Sequence, residues 1–479
     1  MATIAAIDPV TRIEGHLKVE VTVDTVAGTQ QVVDARATGT LFRGFEQILV
    51  GRDPGDAQHI TERVCGVCPV SHGLASVKAQ DACFGARVPA NARIMRNLVL
   101  GANYLQSHIL HFYHLAAQDF VDGPDMAPWQ PSWRADKRLD ARSGATLVDH
   151  YVTALAMRRK AHEMGALFGG RLPHPPTYVA GGFTARPTAA RIAAFRGYLG
   201  KLIPFIEDVY IADVELLGKV YDDYFAIGRG HRNLLAYGVF DLDATGDRKL
   251  LRRGRIVDAS RRVRAVDVAA ISEHVSHSWY ADADDRLRPS SGRTDPQYPK
   301  DGAYSWLKAP RYGARPYEVG PLARMWVNGD YRRGVSVMDR HVARALEARK
   351  VARAMRAWVG NLVVSGRVYV KPTVPSSGSA RGLTEAPRGA LGHWLRLSGG
   401  RVSRYQIVTP TCWNASPRDA GGVRGPLEQA LVGTPVANVD EPIEVLRVIH
   451  SFDPCLSCAV HVMRPAKRGV VFAVDHVHG

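Results

Sequence analysis

ARIMRNLVLGANYLQSHILHFYHLAAQDF, residues 92–120, places apolar side chains at three- and four-residue intervals nearly all the way round a helical wheel. A helix apolar along one stripe lies at a surface, whereas one apolar on every side is buried. The stretch therefore predicts a long helix through the middle of the molecule. Similar periodicity over residues 147–168, 189–225 and 335–364 supplies helices to pack round it, and shorter helical segments are expected between residues 41 and 84. Residues 16–36 alternate instead, with Leu17, Val19, Val21 and Val23 followed by Val32, Val33 and Ala35 about a break at Ala27-Gly28. That is the pattern of a half-buried antiparallel hairpin, and it returns over residues 393–409 about Ser398-Gly399-Gly400. The expected fold class is α+β, predominantly helical, with a long-helix core and peripheral antiparallel sheet. Residues 242–317, rich in Arg, Asp, Gly and Pro and weak in periodicity, read as irregular surface excursions within the domain.

The 479 residues are 46% hydrophobic, 23% charged and 8% aromatic, which excludes a disordered, collagenous or disulfide-dense chain. No apolar run approaches the ~20 residues that span a bilayer, and the start MATIAAIDPVTRIEG has no basic segment followed by an apolar stretch. Membrane association is thus expected only through partners, and no export signal is expected on this chain. Lys and Arg number 62 against 46 Asp and Glu, a formal charge of +16, but the excess is scattered in short groups without interleaved aromatics. Such patches read as solvated surface or a protein-docking face, and no nucleic-acid partner is expected.

Four of the six cysteines fall in two C-x-x-C pairs, Cys65 with Cys68 and Cys455 with Cys458. Two intervening residues let both sulfurs face one metal, and two pairs supply the four thiolates of a tetrahedral zinc, an iron-sulfur cluster or a softer thiolate site. A structural zinc ribbon closes a loop of ~15–20 residues. Here the pairs lie near opposite ends, so a shared site requires the ends to pack together, which argues for one domain and for chemistry more than stapling. Cys83 and Cys412 are too few for a further four-cysteine cluster and read as small buried apolar residues. Three groups able to handle protons flank the pairs: Glu14 in RIEGH, Arg388 after Pro387 in EAPRGALGHW, and Asp453 before Pro454-Cys455. Singly, each has an ordinary reading, as a surface carboxylate or partner of Arg12, a helix-end arginine, and a turn cap.

Together these blocks resemble the large, catalytic subunit of the nickel-iron hydrogenases. The likeness runs from residue 4 to the C-terminus, through IDPVTRIEGHLKVEV with GTLFRGFE, RVCGVCPVSH at 63–72, ANYLQSHILHFYHLAAQDF, YSWLKAPRYGARPYEVGPLARMWVN, EAPRGALGHW with YQIVTPTCWNASPRD, and DPCLSCAVH at 453–461. Within the family the sequence is most similar to the branch that includes nickel-iron-selenium enzymes, with an ordinary Cys455 where those often carry selenocysteine. The resemblance implies a nickel held by Cys65, Cys68, Cys455 and Cys458. Cys65 and Cys455 would be terminal ligands, and Cys68 and Cys458 would bridge to an iron bearing carbon monoxide and cyanide. It further implies that Arg388 and Thr411 hydrogen-bond the cyanides, that Leu391 lines the carbon monoxide and that His72 donates toward the sulfurs. Glu46, the backbone carbonyl of Ile407 and the imidazole of His461 would form a second site for magnesium or iron.

The reaction so implied is reversible heterolysis of dihydrogen into hydride and proton, with two electrons passed on. The thiolate of Cys455, relaying to Glu14, and the guanidine of Arg388 compete as proton acceptor; the thiolate is favoured because arginine releases its proton only above ~12. Asp453 is a further catalytic candidate. The electrons require an iron-sulfur small subunit. Family chains are cut after the last histidine, which here gives a catalytic domain of residues 1–461 and a maturation peptide of residues 462–479, with a maturation endopeptidase and nickel-insertion factors as partners. The other reading of that tail is an ordinary strand over residues 469–474. Location is expected to be periplasmic or membrane-associated, through the small subunit's export signal, with a cytoplasmic precursor. Two features depart from the family pattern: Ser107 stands where many members have aspartate, and residues 328–336 are short. His108, His111 and His114 read as packing and hydrogen-bonding residues. The rival readings are a hydrogen-sensing regulatory hydrogenase, a zinc-stabilised structural subunit, and the related quinone-reductase subunit, which has lost the cysteine pairs.

Overall fold

A computed structural model describes residues 2–130, 133 and 135–455, and the backbone of 470–472. The alternating N-terminal stretch forms strands Leu17–Val26 and Thr29–Gly39, joined at Ala27 and Gly28, both at positive φ as a tight hairpin turn of this hand requires. Leu17, Val19, Val21 and Val23 are buried on one face, and the residues between them are partly exposed. Strand Thr3–Ile7 pairs antiparallel with Leu17–Val26, and Val470–Phe472 lies parallel beside it, Ala5 opposite Val470. The two ends of the chain therefore meet in one sheet.

The predicted central helix runs over Ala90–Ile109, and every residue from Met95 to Ile109 is buried. Its buried polar side chains are directed at partners: Arg96 pairs with Asp81 at 2.6 Å, and Asn97 donates to the Asp241 carbonyl at 2.9 Å. Helices Ala141–Gly169 and Val337–Gly360 pack against it, with Gly101 in close contact with Met355. The helical hydrogen-bond register widens to a π-helix over Leu110–Ala116. The same happens at Phe205–Tyr210, between helices Ala189–Pro204 and Ile211–Val220, where Pro204 has no N–H to continue the ladder. The pattern read over 189–225 is thus an interrupted helix. Residues 242–317 contain only short pairings, such as Ile271–His274 with Ala309–Tyr312, among turns and bends. No helix among the described residues is long and apolar enough to cross a membrane.

A second antiparallel sheet, Gly378–Ala386, Gly389–Ser398 and Arg401–Val408, goes deeper than the periphery. Its first two strands are buried from Gly382 to Leu395. Helix Pro69–Phe84 lies directly on it: a Cβ at Gly382 would sit 1.9 Å from the Ala75 carbonyl oxygen. The two-residue turn Pro387-Arg388 at the tip of this hairpin points into the middle of the protein, beside the cysteines.

Candidate metal centre

Cys65 ends a short 3-10 turn in extended conformation, and Cys68 precedes helix Pro69–Phe84, whose proline at the first turn needs no N–H partner. The N–H groups of Val67 and Cys68 point back at Cys65 Sγ, at 3.4 and 3.2 Å. The central helix fixes this loop, because Asn103 and Gln106 both donate to the Val67 carbonyl, at 2.9 and 3.2 Å. Cys455 arrives from the other end of the chain. Helix Ile443–Ser451 stops, Asp453 turns the backbone at φ 56°, and the Cys455 N–H donates to Thr411 Oγ1 at 3.2 Å. Cys65 Sγ and Cys455 Sγ then stand 3.3 Å apart across 390 positions of sequence.

The sulfurs of Cys65, Cys68 and Cys455 all lie within 4.8 Å of one another, the one such group of potential metal ligands among the described residues. Cys458 and His461 lie outside those residues. The three thiols are buried with Val67, Leu110 and Ala386, against Ile13 and Leu115. Burial opposes charge on Cys65, yet thiol hydrogen bonds from Cys455 and Cys68 and the Arg388 guanidinium hold it well below the usual thiol range. Cys455, donating to Cys65 and Cys68 and buried, is pushed up. Placing three negative sulfurs here therefore calls for a cation, and a soft, thiolate-rich set suits nickel. Cys83 and Cys412 are only partly buried, in contrast to the expectation of full burial. Cys412 lines a separate cavity described below.

Arg388, 2% exposed, donates through Nε to the Asp453 carbonyl at 2.9 Å and pairs through Nη2 with Asp453 Oδ1 at 2.9 Å. Beyond that ion pair, neither its buried Nη1 nor its Nη2 makes a hydrogen bond among the described residues, and neither do the Asp453 carboxylate oxygens, so donors are left over beside the sulfurs. Burial would weaken its hold on the proton, but Asp453 and the cysteine sulfurs raise its pKa well above the ordinary guanidinium value. Leu391, fully buried, faces Thr384 on the same hairpin, and Thr411 is buried beside Cys455. Ser107 is fully buried, and its Oγ has no hydrogen-bond partner among the described residues.

Glu14 sits at φ 60° before Gly15, and its partly exposed side chain rests on the cysteine loop: a Cβ at Gly66 would fall 2.1 Å from Glu14 Oε1. Arg12 reaches instead to Asp119 at 2.6 Å. His72 bonds through Nδ1 to His393 Nε2 at 3.1 Å, and His393 Nδ1 meets the Tyr405 hydroxyl at 2.9 Å. Burial lowers the His72 pKa to about 4, so the ring is neutral. His108 meets Glu347 at 2.8 Å and His111 the His450 carbonyl at 2.7 Å, while His114 faces the Tyr151 carbonyl at 3.3 Å.

Glu46 and Ile407 line a second cavity of about 50 Å³. Glu273 and Lys308 line it as well, although neither stands out in the sequence. Burial raises the Glu46 carboxyl against the opposing charge of Lys308, and raises Glu273 to about 7. Lys308 does fall within the quoted YSWLKAPRY block, whereas Glu273 comes from the irregular segment, where no periodicity singles it out.

Soft sulfurs gathered from both ends of the chain beside a buried arginine form a group able to hold a metal ion, in a largely helical fold. The profile of the nickel-dependent hydrogenases matches residues 43–132, 123–334 and 328–461, and the chain belongs to that family. A HoxL-like profile matches residues 5–37. The chain is 44% identical to the periplasmic [NiFeSe] hydrogenase large subunit of Desulfomicrobium baculatum over 96% of its length and 95% of that protein's. It is 35% identical to the uptake hydrogenase large subunit of Rhizobium leguminosarum bv. viciae, again over 96% and 95%. Its structure superposes on the Ni-Fe-Se hydrogenase of D. vulgaris Hildenborough with a TM-score of 0.92 at 45% identity, covering 96% of this chain and all of that one. The chain is therefore an enzyme, the large subunit of a hydrogenase that oxidises dihydrogen at a nickel-iron centre, and such subunits pair with a small subunit.

Proposed function

We propose that Cys65, Cys68, Cys455 and Cys458 would hold the nickel-iron group, with Cys68 and Cys458 shared with an iron that would carry carbon monoxide and cyanide. The observation that carries this reading is the approach of Cys65 and Cys455 to 3.3 Å, with Cys68 in the same group. Bound there, the nickel-iron group supplies the splitting of dihydrogen and the change of redox state. The chain's residues do the rest. The Cys455 sulfur accepts the proton, and Glu14, lying against Gly66 with its side chain partly exposed, passes it toward the surface. Arg388, its own proton held tightly by Asp453, serves as a hydrogen-bond donor and not as the base. Its terminal guanidinium nitrogens and the Thr411 hydroxyl would address the cyanides, and Leu391 would keep an apolar wall at the carbon monoxide. His72, kept neutral and oriented by His393, donates toward the sulfurs.

Glu46, the Ile407 carbonyl and His461 would hold magnesium or iron at the second site, where the Glu46 and Glu273 carboxyls suit a hard cation. Electrons leave to an iron-sulfur small subunit. That partner also brings an export signal, so the complex is periplasmic or membrane-associated while the precursor is cytoplasmic. Nickel-insertion factors load residues 1–461, after which an endopeptidase cuts behind His461 and releases residues 462–479. Metal analysis of the complex purified from its native host tests the centre: a single nickel per chain with iron in excess is expected, and zinc alone in a fully processed chain overturns it. Glu14→Gln tests the relay. The metals should stay while proton exchange with solvent is lost, and full turnover would rule Glu14 out.

A further inference from the structure

A two-residue hairpin turn ordinarily lies at a surface, where water satisfies its carbonyl groups. The turn Pro387-Arg388 has no such access, and the carbonyls of Ala386 and Pro387, the two residues before Arg388, are met by one side chain, the fully buried Arg324. Arg324 Nη1 donates to Ala386 O at 3.0 Å and to Glu385 Oε2 at 2.9 Å. Nη2 donates to Pro387 O at 2.8 Å and to Glu347 Oε2 at 2.6 Å, and Nε donates to Glu347 Oε1 at 2.6 Å. All five guanidinium protons are thus committed, two of them to the carbonyls of the residues immediately before Arg388.

The helix that carries Arg324, Pro321–Asn328, is docked on the same turn by backbone contact. A Cβ at Gly320 would lie 3.0 Å from the Arg388 carbonyl oxygen, and one at Gly389 would lie 2.8 Å from the Gly320 nitrogen. Both residues have φ in the glycine-favouring range, 128° and 140°. Asn414 pins the approach by bonding both the N–H and the carbonyl of Val319, at 2.9 and 3.0 Å. Behind Arg324, His108 holds Glu347 at 2.8 Å, and Tyr104 donates to the Glu385 carbonyl at 3.0 Å.

We propose that Arg324 is a positioning residue for Arg388: it clamps the buried turn and thereby sets where the Arg388 guanidinium stands above the sulfurs. The inference rests on the reading of Arg388 as donor to the cyanides. A guanidinium is required because its planar fork reaches two carboxylates and two carbonyls at once, whereas an ammonium concentrates its donors at one point. Arg324→Lys keeps the charge beside Glu347 and leaves the Ala386 and Pro387 carbonyls without their donor.

The test uses the complex from its native host, with Arg324→Lys, Arg388→Lys and the double variant. Nickel content, melting temperature, the infrared bands of the cyanides and the kinetics with dihydrogen are measured on each. Arg324→Lys should carry nickel, shift the cyanide bands in the same direction as Arg388→Lys, and lower kcat about ten- to a hundredfold with KM little changed. The double variant should be no slower than Arg388→Lys alone. Unaltered bands and turnover in Arg324→Lys while Arg388→Lys shifts both, or fully additive losses in the double variant, would overturn the clamp. Unaltered bands in Arg388→Lys would instead overturn the reading of Arg388 itself. Should Arg324→Lys fail to load nickel, Glu347→Gln loosens the same guanidinium from behind. An intermediate band shift supports the clamp, and wild-type bands refute it.

Discussion

Alanine at position 66 would move the Glu14 carboxylate without altering its chemistry. Gly66 is not held at positive φ, so alanine can take its backbone conformation. The new methyl arrives 2.1 Å from Glu14 Oε1 and 3.1 Å from Cδ. Ordinary contact begins near 3.4 Å, so the oxygen must retreat by roughly 1.3 Å. Proton relay works over hydrogen-bond distances of about 2.6–3.2 Å, and a retreat of this size takes the carboxylate out of that range. A misplacement of about 1 Å costs a reacting group on the order of 100-fold, or about 2.7 kcal/mol of barrier. Gly66→Ala is thus expected to lower exchange of deuterium gas with water about 100-fold while nickel content stays at the wild-type level. Interconversion of ortho- and parahydrogen, which needs splitting but no proton exit, should survive. Adding Glu14→Gln to Gly66→Ala should produce no further loss. Wild-type solvent exchange in a nickel-loaded Gly66→Ala enzyme would refute the placement of Glu14 as the relay.

Two predictions concern stability. Burial pushes the Glu428 carboxyl up to about 7, despite hydrogen bonds from the Ala37 N–H and the Tyr304 hydroxyl, so the native state keeps a proton that the unfolded chain loses above about 4.5. Its contribution is full below the unfolded value and is lost as pH rises through the window to about 7. Glu428→Gln should remove that slope from the denaturation midpoint, and parallel pH profiles for variant and wild type would contradict the assignment. Gly382→Ala should cost about 3 kcal/mol, because the new Cβ meets the Ala75 carbonyl oxygen at 1.9 Å and the Ala79 nitrogen at 2.6 Å. Backbone atoms cannot swing away as a side-chain end can, so lower soluble yield and a lower melting temperature are the expected readouts, and an unchanged melting temperature would refute the contact.

The central helix and the N-terminal hairpin were legible because each has one dominant environment: apolar on every side for residues 95–109, alternating for residues 17–26. The π-helical register of Leu110–Ala116 left no mark, since widening the hydrogen-bond ladder by one residue needs no particular side chain. Strand Gly378–Ala386 was hidden for the opposite reason: its inner half is buried on both faces and does not alternate. Spacing marked Cys65, Cys68 and Cys455 as metal-capable, and only the fold shows that they converge. Arg324 and Glu273 could not be singled out, because their chemistry depends on partners such as Glu347, Glu385 and Gln406, far away in sequence.

The 390 positions between Cys65 and Cys455 also impose an order of events on synthesis. At the usual rate of about 5–20 residues per second, the ribosome needs roughly 20–80 s to travel from Cys65 to Cys455. Throughout that interval the emerging chain offers only the first two cysteines of the centre, Cys65 and Cys68, an incomplete chelate. Completion of the cysteine set is thereby deferred to the nearly finished polypeptide, whose two ends meet in the same sheet.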